Sequence, residues 1–216
     1  MNRGVFILER TVPPEEEPVS IGEIKRQLRS FASDTSEDDD MNALIASARE
    51  WVEDYTGRAL MPQTWRLTLD NSVGHDIVGG DTVSGYRPGY YTGALWWQPT
   101  FELMLRRAPV ISVDSFVSVD AAGVETAIAA SQYSLREKDS KWPRIVPLNG
   151  ANWSIGTYRV TFTAGFADAD SVPVRFKQAI RLHAEGHYDR DPQMLPLLLE
   201  VAEKLIKPER ADLQIT

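Results

Sequence analysis

The residues best suited to chemistry are two histidines in His183-Ala184-Glu185-Gly186-His187. Four apart on a helix, both imidazoles share one face and can share a metal ion. The zinc-protease arrangement puts its glutamate directly after the first histidine. Here Glu185 stands one position later, about a third of the way round the helix from where it is needed. No third ligand is suggested, so packing or an inter-subunit hydrogen bond is the better reading. The acidic stretch Asp34-Thr35-Ser36-Glu37-Asp38-Asp39-Asp40 invites comparison with a calcium loop. An EF-hand loop requires a central glycine and a glutamate about twelve residues from its first aspartate, and neither is present. The carboxylates are expected to cap the helix that follows and complement its positive end.

The rest of the inventory points away from catalysis. The chain has no cysteine, hence no disulfide framework and no thiolate metal site, which fits a reducing compartment. No glycine-rich loop links a strand to a helix, and no Gly-x-Ser-x-Gly elbow occurs. With three histidines, nucleophilic triads are sparsely supplied. Paired carboxylates abound, as in any acidic protein, and carry no specific signal. The expectation is a protein that is not an enzyme and needs no cofactor.

The chain of 216 residues is 43% hydrophobic and 25% charged, enough for one sizeable core or two small ones. Its formal charge of −8 argues against gripping nucleic acid by phosphate neutralisation. No apolar stretch approaches the ~20 residues that span a bilayer, so no membrane is expected. The run Val5–Leu8 is too short for the core of a signal peptide. Residues 1–19 read as an extended arm, either a disordered tail or a segment laid on a neighbouring subunit.

The elements follow from periodicity. Ser20 and Glu23 form a capping box opening a helix of about three turns, with Ile21, Ile24, Leu28 and Phe31 on one face. A second helix runs from about Asp38 to Tyr55. Its stripe is Met41, Leu44, Ile45, Ala48, Trp51, Val52 and Tyr55, with Glu50, Glu53 and Asp54 off it. Gly57 is its left-handed stop. From Thr64 the period becomes two: Trp65, Leu67 and Leu69 alternate with Arg66, Thr68 and Asp70. Further strands are expected at 102–106, 110–119, 132–136, 144–147 and 156–164, with Tyr158, Val160 and Phe162 inward. Asp120-Ala121-Ala122-Gly123 supplies turn chemistry. After Pro173 the helical period returns, with Val174, Phe176, Ile180, His183 and His187 near one stripe. A last helix runs from Leu195 to Ile206, and Pro208 ends it.

Residues 71–100 are rich in glycine and hold Tyr86, Tyr90, Tyr91, Trp96 and Trp97. So long a loop is uncommon in a compact domain. Its composition suits an adaptable contact with a neighbouring subunit or tail component; the alternatives are folding over its own domain, or a sugar platform.

The expected architecture is α+β. A small helical bundle comes from both ends of the chain, residues 20–62 and 172–207, with an antiparallel β-sandwich or barrel module at 63–165 inserted. A tail at 208–216 follows.

In order, several of these pieces resemble one family, the gp6-like head–tail connector (adaptor) proteins of tailed bacteriophages. They are Ile24-Lys25-Arg26-Gln27-Leu28-Arg29, the acidic run to Asp40, Leu44-Ile45-Ala46-Ser47-Ala48-Arg49-Glu50, and Tyr55-Thr56-Gly57-Arg58-Ala59-Leu60 running into Pro62-Gln63-Thr64-Trp65. Later come Arg107-Ala108-Pro109-Val110-Ile111-Ser112-Val113, Asp120-Ala121-Ala122-Gly123, Phe162-Thr163-Ala164-Gly165-Phe166 and Val172-Pro173. The resemblance spans roughly residues 20–190, although the family's counterpart of 71–100 is shorter.

The resemblance implies a structural virion protein of the neck, assembled in the host cytoplasm. It implies a ring of roughly twelve copies beneath the portal protein, offering a docking surface to stopper or other tail proteins, with packaged DNA passing through unbound. By that analogy the C-terminal residues Leu205, Ile206, Pro208, Leu213 and Ile215 are portal-binding candidates. Glu37, Asp38, Asp39 and Asp40 are candidates for a repelling channel lining, as are Glu50, Glu53 and Asp54. The alternatives are another neck or tail component, such as a stopper or tail terminator, and a carbohydrate-binding module.

Overall fold

A computed structural model of the chain describes residues 5–29, 35–70, 86–88, 101–148, 156–189 and 191–211. The described chain falls into two compact units. The β unit takes the residues up to Pro13 and Gln63–Ala164; the helical unit takes Pro14–Pro62 and Gly165–Ala211. The fold is α+β, with antiparallel sheets and no closed barrel among the described residues.

In the β unit the strands are β1 (Val5–Val12), β2 (Gln63–Asp70), β3 (Tyr86–Pro88), β4 (Phe101–Met104), β5 (Val110–Val119), β6 (Glu125–Ala127), β7 (Tyr133–Arg136), β8 (Arg144–Pro147) and β9 (Thr157–Ala164). One sheet has the order β1-β2-β9-β5-β6, the other β3-β4-β8-β7. β9 sits at the centre of the first sheet, and its burial alternates along its length: Tyr158, Val160, Phe162 and Ala164 are buried between half-exposed neighbours. That is the period-two pattern of a strand with one face on a core. Phe116 of β5 meets Tyr158 of β9 at 5.9 Å between ring centroids, and Tyr133 of the second sheet edge-on at 5.4 Å. Such aromatic contacts help fix one sheet on the other.

Residues 5–12, read from sequence as part of an extended arm, pair antiparallel along β2, from Val5↔Asp70 to Val12↔Thr64. They are the edge strand of the chain's own sheet. Pro13 and Pro14 then leave the sheet, since proline has no N–H to give a ladder.

The helices are α1 (Ile21–Gln27), α2 (Asp38–Thr56), α3 (Val174–Asp189) and α4 (Met194–Ile206). The capping box forms as its spacing demands: Ser20 Oγ accepts from the Glu23 N–H, and the Ser20 N–H donates to the Glu23 carboxylate at 2.8 Å. α1 is one turn shorter than expected and ends at Leu28. α2 stops at Gly57, whose φ of 71° is the left-handed cap that glycine tolerates. The helical core gathers Ile24, Ile45, Ala48, Val52, Phe176, Ala179, Ile180, Ala202 and Ile206 with Leu60 and Met61. Val174, placed by sequence on the α3 stripe, is 73% exposed. At the first residue of the helix it precedes the turn that packs.

β2 and β9 stay paired to their ends, Gln63↔Ala164, where the chain passes from one unit to the other. Directly beyond lies Gly165, φ 137°, and a Cβ there would stand 2.1 Å from the Met61 carbonyl oxygen and 2.6 Å from the Pro62 nitrogen. Backbone on backbone leaves nothing that can move aside. Gly165→Ala should therefore destabilise the protein by about 3 kcal/mol or more, read as a fall in the urea midpoint. Gly123→Ala, in an open turn with φ 83°, should cost only about 1 kcal/mol.

Candidate functional site

The polar heart of the helical unit lies on α2. Arg49 and Glu53 are 4% and 2% exposed. Arg49 Nη1 donates to Glu53 Oε2 at 2.9 Å, and its Nε donates to Glu17 Oε2 at 2.9 Å. The other Glu53 oxygen accepts the Leu60 N–H at 2.8 Å. One carboxylate thus ties the helix to the turn after it, and its arginine ties the helix to the segment before α1. Burial alone would make Arg49 more acidic, but Glu53 and Glu17 outweigh it and hold its pKa above the ordinary value. Glu53, set by sequence on the solvent face with Glu50 and Asp54, is therefore a core residue and lines no channel. Glu50 and Asp54 are exposed.

The acidic start of α2 splits by residue. Glu37 accepts from the Tyr188 hydroxyl at 2.6 Å, and Asp38 pairs at 2.5 Å with Lys25, itself 4% exposed. Asp39 and Asp40 are exposed. The three aspartates sit in the first turn, where a helix favours negative charge. The expected side-chain cap is missing, because Glu37 at the N-cap position makes no such bond and is turned to Tyr188 instead.

The C-terminal candidates divide likewise. Ile206 is fully buried and Leu205 packs against the same core, so these two have an internal home, contrary to the sequence reading. Pro208 is exposed in a single 3-10 turn, Lys207–Glu209. That turn is fastened to the end of α2. Glu209 bonds Arg58 at 3.1 Å and Arg175 at 2.8 Å. The Ala211 N–H donates to the Thr56 carbonyl at 2.9 Å, and Arg210 stands 5.3 Å over the Tyr55 ring. Leu213 and Ile215 lie outside the described residues, as do Tyr90, Tyr91, Trp96 and Trp97. Of Tyr86 only the backbone is described, paired with Leu103.

His183 is 7% exposed, between Trp51 at 4.8 Å and His187 at 4.5 Å. Burial, aided by His187, lowers its pKa to about 4. Glu185 turns away and accepts from Gln27 Nε2 at 2.8 Å. Among the described residues no three histidine or acidic side chains converge as metal ligands, and no described helix is long and apolar enough to cross a membrane.

One surface was not singled out from sequence. On α4, Met194, Leu197 and Val201 are 46%, 55% and 48% exposed. The available signal was compositional: apolar residues fill 194, 195, 197–199, 201, 202, 205 and 206, more of the circumference than one packing face needs. Leu195 and Leu198 serve that packing face. Both approach Gly186 of α3, where a Cβ would stand 2.9 Å and 3.6 Å from their methyls.

The fold defines a class: an α+β protein whose helical unit is interrupted by a β insert. No protein-family model and no curated protein matches the chain. Solved structures do. A chain in the virion of a native gene transfer agent (GTA) particle is 27% identical, with a TM-score of 0.65, covering 90% of this chain and 94% of that one. A chain in the neck of the empty GTA particle, computed with C6 symmetry, is 25% identical, with a TM-score of 0.64, covering 91% and 94%. A chain in the neck of the native GTA particle, computed with C12 symmetry, is 25% identical, with a TM-score of 0.55 and the same coverage. Over nine-tenths of its length the chain is thus similar to structural neck-type proteins of a phage-like particle.

Two outcomes test these assignments. Glu53→Ala leaves Arg49 short of its buried partner and the Leu60 N–H without an acceptor. It should cost about 3–5 kcal/mol in urea unfolding, whereas Asp54→Ala, at an exposed position, should cost about 1 kcal/mol or less. For His183 the folded pKa lies below the unfolded value of about 6.5, so the unfolded chain takes up a proton that the folded one refuses. Stability should fall as pH drops from about 6.5 towards 4, by up to roughly 3 kcal/mol. His183→Gln should remove that part of the pH dependence of the melting temperature.

Proposed function

We propose that the protein is a head–tail connector, an adaptor of the gp6-like kind, in the neck of a phage-like particle. It stands as a ring beneath the portal, offers the tail its docking surface and lets DNA pass through its lumen. The observation that carries this is the near-full-length likeness to chains in GTA neck structures computed with sixfold and twelvefold symmetry. The ordered sequence resemblance to the connector family supports it independently.

The mechanism is assembly. Glu209, Arg58 and Arg175, with the Ala211–Thr56 bond, fix the point where the C-terminal tail departs. Leu205 and Ile206 anchor that point in the core, which leaves Pro208, Leu213 and Ile215 as the portal-binding candidates. The aromatic residues Tyr86, Tyr90, Tyr91, Trp96 and Trp97 remain the candidate contact with neighbouring subunits or tail. For the lumen, exposed Asp39 and Asp40 are the better repelling groups, since Glu37 and Asp38 are held by Tyr188 and Lys25. A wall of like charge lets the DNA backbone slide, in keeping with the chain's −8.

Native mass spectrometry of the protein mixed with its cognate portal tests the reading. A ring should appear on the portal and be lost when residues 212–216 are deleted. A monomer indifferent to portal would reject the adaptor role and favour a tail-side neck protein.

A further inference from the structure

We infer that the outward stripe of α4, Met194, Leu197 and Val201, is the face by which one copy of this chain grips the next in the ring. The inference rests on the ring reading and adds the surface that builds it. The three residues are spaced three and four apart and lie in one line along the helix. The inner side of the helix is spent on the chain's own core, with Ala202 and Ile206 fully buried. The outer line remains about half exposed, although its composition is that of a packing face.

The margin beside the stripe narrows the occupant to a protein surface. Glu200 and Lys204 run beside the stripe and pair with each other at 2.6 Å, a polar rim already satisfied within the helix. A rim of both signs gives no concentration of Lys and Arg to hold an anionic lipid surface or a nucleic acid. The small area is compatible with a contact that symmetry repeats. Three half-exposed side chains fall well short of the roughly 800 Å² per partner of a stable two-body interface. A contact of that size persists where symmetry repeats it and closes the cycle, so that each copy is held on two sides. Neighbouring structures computed with C6 and C12 symmetry show that a chain of this fold recurs about an axis. In a ring the contact is heterologous: the stripe meets a different face of the following copy.

The test pairs a disruptive variant with a reporter. Leu197→Glu with Val201→Glu changes exposed positions, and its melting temperature should match the wild type. Sedimentation with and without portal should show the wild type forming rings and the variant needing roughly tenfold more protein or more for half assembly. Because the chain has no cysteine, Val201→Cys carries a thiol-linked benzophenone at one site only. Irradiation of the assembled ring should give cross-links between copies of this chain. Rings from the double variant at wild-type concentration, or cross-links to portal alone, would overturn the stripe while leaving the ring reading standing. A wild type that forms no ring in either condition would overturn both.

Discussion

A carboxylate buried in the flank of α2 sets the terms for the helical unit. Glu53 cannot be solvated where it stands, so its charge must be met by Arg49 and its second oxygen by the Leu60 amide. Arg49, buried in turn, must find Glu17. An ionic group in such a place is a weak source of net stability, but breaking it is costly because each partner is left uncompensated. The arrangement acts as a register pin. It fixes the residues before α1, the body of α2 and the turn leading to the β unit in one relation, and the apolar stripe then packs around it. Arg58, Glu209 and Arg175 form a second ionic cluster just beyond the same C-terminal end of α2.

Much of this frame was legible in the sequence because period and local chemistry agreed. The alternation of β9, the capping box at Ser20 and Glu23, and the glycine stop at position 57 each need only neighbouring residues to be read. What escaped depended on distant partners. Arg49 and Glu53, four apart with charges of opposite sign, look like a solvated helix pair; only Glu17 and Leu60 reveal that they face inward. β1 was unreadable because Val5–Leu8 are apolar without alternation and its partner, β2, is remote in sequence. Leu205 and Ile206 seemed homeless only because their neighbours, brought in by α2 and α3, lie far back along the chain.

The candidate surfaces follow the same rule. The acidic run at 37–40 reads as one feature, yet Tyr188 and Lys25 divide it into two tethered and two exposed carboxylates. The two histidines read as possible ligands. One is held neutral between an indole and the other imidazole, a place that suits packing and disfavours charge. The α4 stripe, by contrast, was present in composition and needed the structure only to show which half of the helix its own core consumes.

The pairing of Gln63 with Ala164, just before Gly165 backs onto Met61, has a consequence for the order of events in folding. To the helical unit the whole β insert is a single long loop, and the entropy of closing a loop rises only with the logarithm of its length. Once β2 and β9 have zipped, the two helical halves are presented to each other as though joined by a hairpin, however many residues lie between. A change in the length of the insert should therefore have little effect on the stability of the helical unit. The shortening depends on one long-range contact, the pairing of β2 with β9.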